Sequence, residues 1–219
     1  MNENARARET DLQGAVRLLF LLDRAGDRLE REEVPEAVRV IRLELRVQAM
    51  DLWMRNPDYL AYELLEEIRS YRRSLSDSDV DLAASLLGEE EQNLWCCRMV
   101  KLLFGAYEAI DNRLSILLAR SLADRRGKEL PTGIIRSDFY LLAKGEEAAR
   151  KLLEEEPVMS WYADRAVLVG EIAGTSSGNE LKKRQYERKE YAETRQGKRT
   201  GAITARELPN EIRTRGVSR

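Results

Sequence analysis

Between Leu122 and Leu142 the period of the sequence changes, and that change restricts the fold more than any other stretch of the chain. Upstream, apolar residues recur every three or four positions. From Ile134 to Leu142 they alternate, with Ile135, Phe139 and Leu141 on one side and Arg136, Asp138 and Tyr140 on the other. Leu122 to Gly127 supplies the companion strand, and a loop containing Pro131 and Gly133 joins the two, with Lys128 to Gly133 near its tip. Asp111 caps a helix before the hairpin, in which Leu114, Leu117 and Leu118 share a face with Ser121. Lys144–Gly145 turns into a helix after it, carrying Ala148, Ala149, Leu152 and Leu153. Helix, strand, loop, strand, turn, helix is the order of a winged-helix module, and two periods and the turn residues agree on it.

The remainder reads as helical. Asp11 to Arg24 forms a first helix capped by Thr10 or Asp11, with Leu12, Ala15, Val16, Leu19 and Leu22 at helical spacing. Leu18, Phe20 and Leu21 fill the gaps, so this helix is apolar around most of its circumference and belongs deep in the core or between the body and a partner. A second helix is expected from Pro35 to Met54, its stripe being Val34, Val38, Ile41, Leu45, Ala49 and Leu52. Asn56–Pro57 stops it and starts a third, with Asn56 as cap and Asp58 at the positive end. Ser74 to Glu91 reads as a short helix between loops, and Leu94 to Phe104, with Trp95, Cys96, Cys97 and Met99, as a buried helix. Pro157 precedes another, SWYADRAVLVGEIAG, and Leu181 to Glu193 a weaker one. From Gly197 the composition is that of a tail that needs a partner to become ordered. The expected class is mainly α with a small β-hairpin wing, a helical bundle fused to a winged-helix module. Its parts are a flexible N-terminus at 1–10, a helical region at 11–93, the wing module at 94–156, a helical extension at 157–193 and a basic tail at 194–219.

Composition bears mostly on chemistry. The chain has no histidine, which removes the commonest general base and metal ligand. Cys96 and Cys97 are sequence neighbours, poorly placed to bridge, and cannot by themselves close a four-ligand zinc site. No Gly-rich phosphate loop is present. The expectation is a non-enzyme with no cofactor and no metal. The longest apolar run, Leu18 to Leu22, is too short to span a bilayer, and no apolar segment follows the first basic residues, so a cytoplasmic protein without a membrane is expected. Net charge is −2, but residues 180–219 carry twelve Lys and Arg against six Glu, a net +6, leaving −8 on residues 1–179. An acidic body with basic patches fits local contact with a phosphate backbone better than DNA coating by the whole surface.

The candidate phosphate contacts are Arg125, Arg126, Lys128 and Arg136 of the wing, Arg113 and Arg120 of the helix before it, and Lys182, Lys183 and Arg184 near the C-terminus. That helix, DNRLSILLARSL, offers few polar side chains to base edges, which argues against base-specific reading. The candidate partner surface is Leu18, Phe20 and Leu21 with Trp161 and Tyr162, while Trp53 and Trp95 read as core. Pro57–Asp58 and Glu180-Leu181-Lys182 contain the residue types of a restriction-type nuclease metal site. That chemistry needs its acids on adjacent strands, whereas Asp58 begins a helix.

Two stretches carry a family resemblance: LELRVQAMDLWMRNPDYLAYEL at 43–64, and LFGAYEAIDNRLSILLARSLADRR at 103–126, where Ala106 replaces the usual proline of a Phe-Gly-Pro turn. Together with DFYLLAKGEEAARKL they resemble the middle components of ABC three-component systems, which include Lamassu-type antiphage and antiplasmid defences. The resemblance covers residues 12–153. It implies a non-catalytic winged-helix adaptor that links an SMC- or Rad50-like ATPase subunit to an effector nuclease, while the basic residues above add an expectation of non-specific DNA contact. The competing expectation is a stand-alone winged-helix DNA-binding transcriptional regulator or antitoxin.

Overall fold

A computed structural model describes residues 10–31, 33–88, 96, 98, 101, 110–129, 135–203 and 208–217. In chain order the elements are α1 (Asp11–Ala25), β1 (Asp27–Arg28), β2 (Ala37–Arg42), α2 (Glu44–Arg55), α3 (Pro57–Arg69), α4 (Asp77–Leu86) and α5 (Asp111–Ala119). They continue with β3 (Ala123–Glu129), β4 (Ile135–Leu142), α6 (Ala143–Glu155), α7 (Ser160–Ala173), α8 (Gly178–Tyr186), α9 (Lys189–Ala192) and α10 (Leu208–Val217). The molecule is mainly helical with a small antiparallel sheet of order β1-β2-β4-β3, as its class was expected to be. Apart from Cys96, Arg98 and Lys101, the stretch expected as a helix at 94–104 lies outside the described residues, as do the hairpin loop and the residues before Thr10.

Thr10 caps α1 through a capping box, its hydroxyl accepting from Gln13 N–H while the Gln13 side chain accepts from Thr10 N–H at 2.8 Å. From Gly14 to Asp23 the apolar circumference of α1 is covered by α7, α5, α6 and the inner face of the sheet, whereas Leu12 of the first turn is 59% exposed and does not join the stripe. Leu18 to Leu22 are all at most 2% exposed. Each such side chain contributes about 1.5–3 kcal/mol by leaving water. One apolar core runs from α1 through Ile41, Phe139 and Leu141 of the sheet to Ile212 of α10. A buried ion pair, Arg17 Nε to Asp51 Oδ1 at 2.6 Å, ties α1 to α2.

The long second helix does not form as expected: residues 37–42 are a strand, and α2 begins only at Glu44. The apolar spacing in this stretch satisfies a helix, but Val38, Val40 and Ile41 are β-branched and β2 gains an antiparallel ladder along β4, regular from Arg39 to Arg42 with a register irregularity between Ala37 and Arg39. Glu36 (φ 61°) and Leu43 (φ 73°) turn the chain into and out of the strand in the left-handed region, which L-residues rarely adopt. Asn56 also departs from expectation. Its side chain makes no cap bond to α3 and instead donates to Leu52 O at 2.8 Å, closing the end of α2. Leu118 faces solvent rather than sharing the Leu114–Leu117 face.

The C-terminal stretch has its ordering partner within the chain. Gly197 and Lys198 exchange backbone hydrogen bonds with Lys101, and Ile203 N–H donates to buried Asp58 at 2.7 Å. Tyr59 donates to Gly201 O, and α10 packs on α3 and α4. The expectation of a tail that waits for a separate partner is corrected accordingly: Thr200, Ile203 and Ile212 are apolar or polar anchors that this body itself buries.

Candidate functional site

The β3–β4 register places Ala123 opposite Leu141 and Glu129 opposite Ile135. Because side chains alternate between faces, Arg126 and Lys128 of β3 share the outer face with Arg136, Asp138 and Tyr140 of β4 and with Val40 and Arg42 of β2. Directly opposed pairs on that face are Lys128–Arg136, Arg126–Asp138 and Asp138–Arg42. Below them Val34, Val40, Tyr140 and Leu142 form a second apolar cluster, separate from the main core, which gives the face a floor. Glu33, Val34 and Pro35 rise from the β1–β2 connection as a rim. The rim and the charged residues of this face, with Gly127 and Tyr140, line an open cleft of about 510 Å³.

Four cations and two carboxylates line the cleft, for a formal charge of +2. Asp138 is the anchor. It is 2% exposed, accepts from Leu43 N–H through Oδ1, and holds Arg136 at 2.5 Å and Arg42 at 3.4 Å through Oδ2. Arg42 also forks onto Glu33, one guanidinium nitrogen to each carboxylate oxygen, while the Tyr140 hydroxyl donates to Glu33 Oε2 at 3.1 Å. The Arg42 hydrogen bonds draw the Glu33 carboxyl below its ordinary range, and the same contact raises Arg42. Desolvation, with the Glu33 bond second, raises the Tyr140 hydroxyl. Lys128 stands exposed directly across from Arg136.

Three of the nine expected phosphate contacts, Arg126, Lys128 and Arg136, therefore meet in one place. Arg125 points to the opposite face, where it pairs with Asp111 at 2.9 Å and Glu44 at 3.3 Å and lies over the Phe139 ring. Arg120 is exposed at the end of α5, apart from the residues lining the cleft. Arg113 corrects the reading outright: it is 7% exposed and lies against Gly14 of α1, with the Arg17 charge nearby. Arg184 is a second correction. It bridges Glu63 and Glu67 at 2.7 Å, donates to Ile172 O and covers the Trp53 ring, so it clamps α8 to α3. Lys182 lies over Tyr186, and Lys183 is exposed near Glu187.

Arg42, Tyr140, Glu33 and Asp138 were missed as site residues. The helical reading of 35–54 hid the strand that carries Arg42, although the VRVIR stretch already held the β-branched signal.

The partner surface is also redrawn. Leu18, Phe20 and Leu21 are consumed by the chain's own core and present nothing to a companion. Trp161 and Tyr162 remain half-buried on α7, with Tyr162 stacked on Phe20 (centroids 6.2 Å apart) and Trp161 edge-on to Tyr162. The nuclease-like residues are occupied structurally: Asp58 by Arg98 at 2.8 Å and by Ile203 N–H, and Glu180 by its capping box with Ser177. Among the described residues no group of three or more His, Cys, Asp or Glu is placed to hold a metal, and no helix is long and apolar enough to cross a membrane. No family model, curated protein or solved structure matches the chain.

Proposed function

We propose that this chain is a non-catalytic accessory subunit that sets the outer face of its wing sheet on a nucleic-acid phosphate backbone, working beside an SMC- or Rad50-like ATPase and an effector nuclease. The observation that carries the nucleic-acid part is the convergence of Arg42, Arg126, Lys128 and Arg136 on one sheet face, with Lys128 directly opposite Arg136. Arginine forks match phosphate oxygens in shape as well as charge. Backbone contact is favoured over base reading because the exposed positions of α5 are Asp111, Asn112, Ser115, Leu118, Ala119 and Arg120, with few groups suited to base edges. The ATPase context rests on the resemblance of segments 43–64 and 103–126.

Fluorescence anisotropy with two duplexes of unrelated sequence, titrated at several salt concentrations, tests the backbone contact. Both duplexes should bind alike, and the double variant Arg126→Ala/Lys128→Ala should flatten the log K against log salt slope by about two units. A strong preference for one duplex would point instead to the stand-alone regulator or antitoxin. An unchanged slope in the double variant removes the wing from the contact. Co-expression with an ATPase encoded beside this chain tests the adaptor role, and recovery of a lone monomer counts against it.

A further inference from the structure

We infer that the Glu33 carboxylate is a resident substitute for the ligand, occupying the Arg42 fork and the Tyr140 hydroxyl that one phosphate group takes over on binding. The inference rests on the backbone-binding reading above and adds to it a defined phosphate site and the residue that guards it.

The donor set is built for an oxyanion. Arg42 presents two guanidinium nitrogens side by side, and Tyr140 adds a hydroxyl from the neighbouring strand to the same acceptor. A carboxylate fills this arrangement with two oxygens, and a phosphate fills it equally well while keeping a further oxygen for another donor. Both donors also have contacts on the side away from Glu33. Asp138, buried and bound to Leu43 N–H, holds Arg136 at 2.5 Å and reaches Arg42 at 3.4 Å from the floor of the cleft. Tyr140 is 5% exposed and packed in the second apolar cluster. Glu33 is the outer member of the set, its side chain 40% exposed on the connection between β1 and β2. Removing it frees both fork nitrogens of Arg42, with Lys128, Arg136 and Arg126 lining the same cleft.

An exposed ion pair of this kind is weak in water, so it is readily exchanged for a polyanion that also engages the neighbouring cations. Glu33 thereby lowers the affinity of the wing for isolated anions and reserves it for ligands that bring several phosphates at once.

The full chain carrying Glu33→Gln tests this. With duplex DNA at fixed salt, E33Q should bind about three- to tenfold more tightly than the unmodified chain, with a salt slope steeper by about one unit. Adding Arg42→Lys keeps the charge but loses the fork, and should abolish the gain. Pyrophosphate, compared with chloride at matched ionic strength, should raise the melting temperature of E33Q more than that of the unmodified chain, and should not do so once Arg42 is Lys. Unchanged or weaker DNA binding by E33Q, or a gain that survives Arg42→Lys, overturns the inference while leaving the wing contact standing. If Arg126→Ala/Lys128→Ala does not weaken DNA binding yet pyrophosphate behaves as described, the backbone reading fails and the phosphate site holds. If pyrophosphate does no more than chloride in either protein, the site is refuted.

Discussion

Asp58 holds the C-terminal stretch against the body, and its two oxygens do separable work. One accepts from Arg98 at 2.8 Å in a pair only 2% and 14% exposed, and the other accepts from Ile203 N–H at 2.7 Å, 145 residues further along the chain. Asp58→Asn keeps an oxygen for Ile203 but removes the charge facing Arg98, and breaking one side of a buried pair costs about 3 kcal/mol. It also takes an acid from the first turn of α3, where the helix dipole favours one. Asp58→Ala loses the acceptor as well, leaving a buried N–H to be satisfied elsewhere, which adds about 1–2 kcal/mol. With a urea m-value of about 3 kcal/mol/M, the midpoints should fall by about 1 M for D58N and about 1.5 M for D58A. Amide exchange separates the two causes: Ile203 should stay protected in D58N and exchange quickly in D58A. Equal midpoints for the two variants, or unchanged protection of Ile203 in D58A, would refute the argument that this carboxylate fastens the stretch.

Two glutamates should titrate on opposite sides of the ordinary value of 4.5. Glu33 is drawn down by the Arg42 hydrogen bonds, so its contribution to stability is present above 4.5 and is lost as pH falls through the folded value. Glu63 is pushed up by burial despite Arg184 and Arg188, so the folded protein keeps a proton that the unfolded chain has released, and stability from this group declines as pH rises from 4.5 through the folded value. Carboxyl-carbon NMR titration should show the split. Arg42→Gln should return Glu33 toward 4.5, and parallel titration of the two groups would contradict both assignments. Arg184→Ala should cost about 1.5–3 kcal/mol by taking one of two arginine partners from Glu63 and from Glu67 and uncovering Trp53. The same variant should leave the salt slope of DNA binding unchanged, whereas a reduced slope with intact stability would restore Arg184 to the phosphate surface.

How far the sequence could be read depended on whether local pattern or distant pairing decided each element. Alternation from Ile135 to Leu142 is a short-range property, and it survived intact as the strand that anchors the hairpin. The same holds for the unbroken apolar helix at Asp11–Ala25 and for the restart at Asn56–Pro57, where proline and apolar spacing act within a few residues. Residues 35–43 are the opposite case. Their spacing suits a helix, but the ladder along β4 joins positions about a hundred residues apart, which no local window contains.

The candidate site divides along the same line. Alternation alone put Arg136 on a polar face, and the β3–β4 register set Lys128 opposite it. That Arg113 is interior, that Arg184 is a clamp, and that Arg42, Tyr140, Glu33 and Asp138 complete the cleft are consequences of packing. A charged side chain reads the same in a string of letters whether it faces water or a buried carboxylate. Element type and hydrophobic faces were thus determined by the amino-acid order itself, through steric and hydration preferences that act over one or two turns. The tertiary structure decided which cations gather on the cleft and which are spent inside the fold, because charge is placed only when distant segments bring their counter-charges into contact.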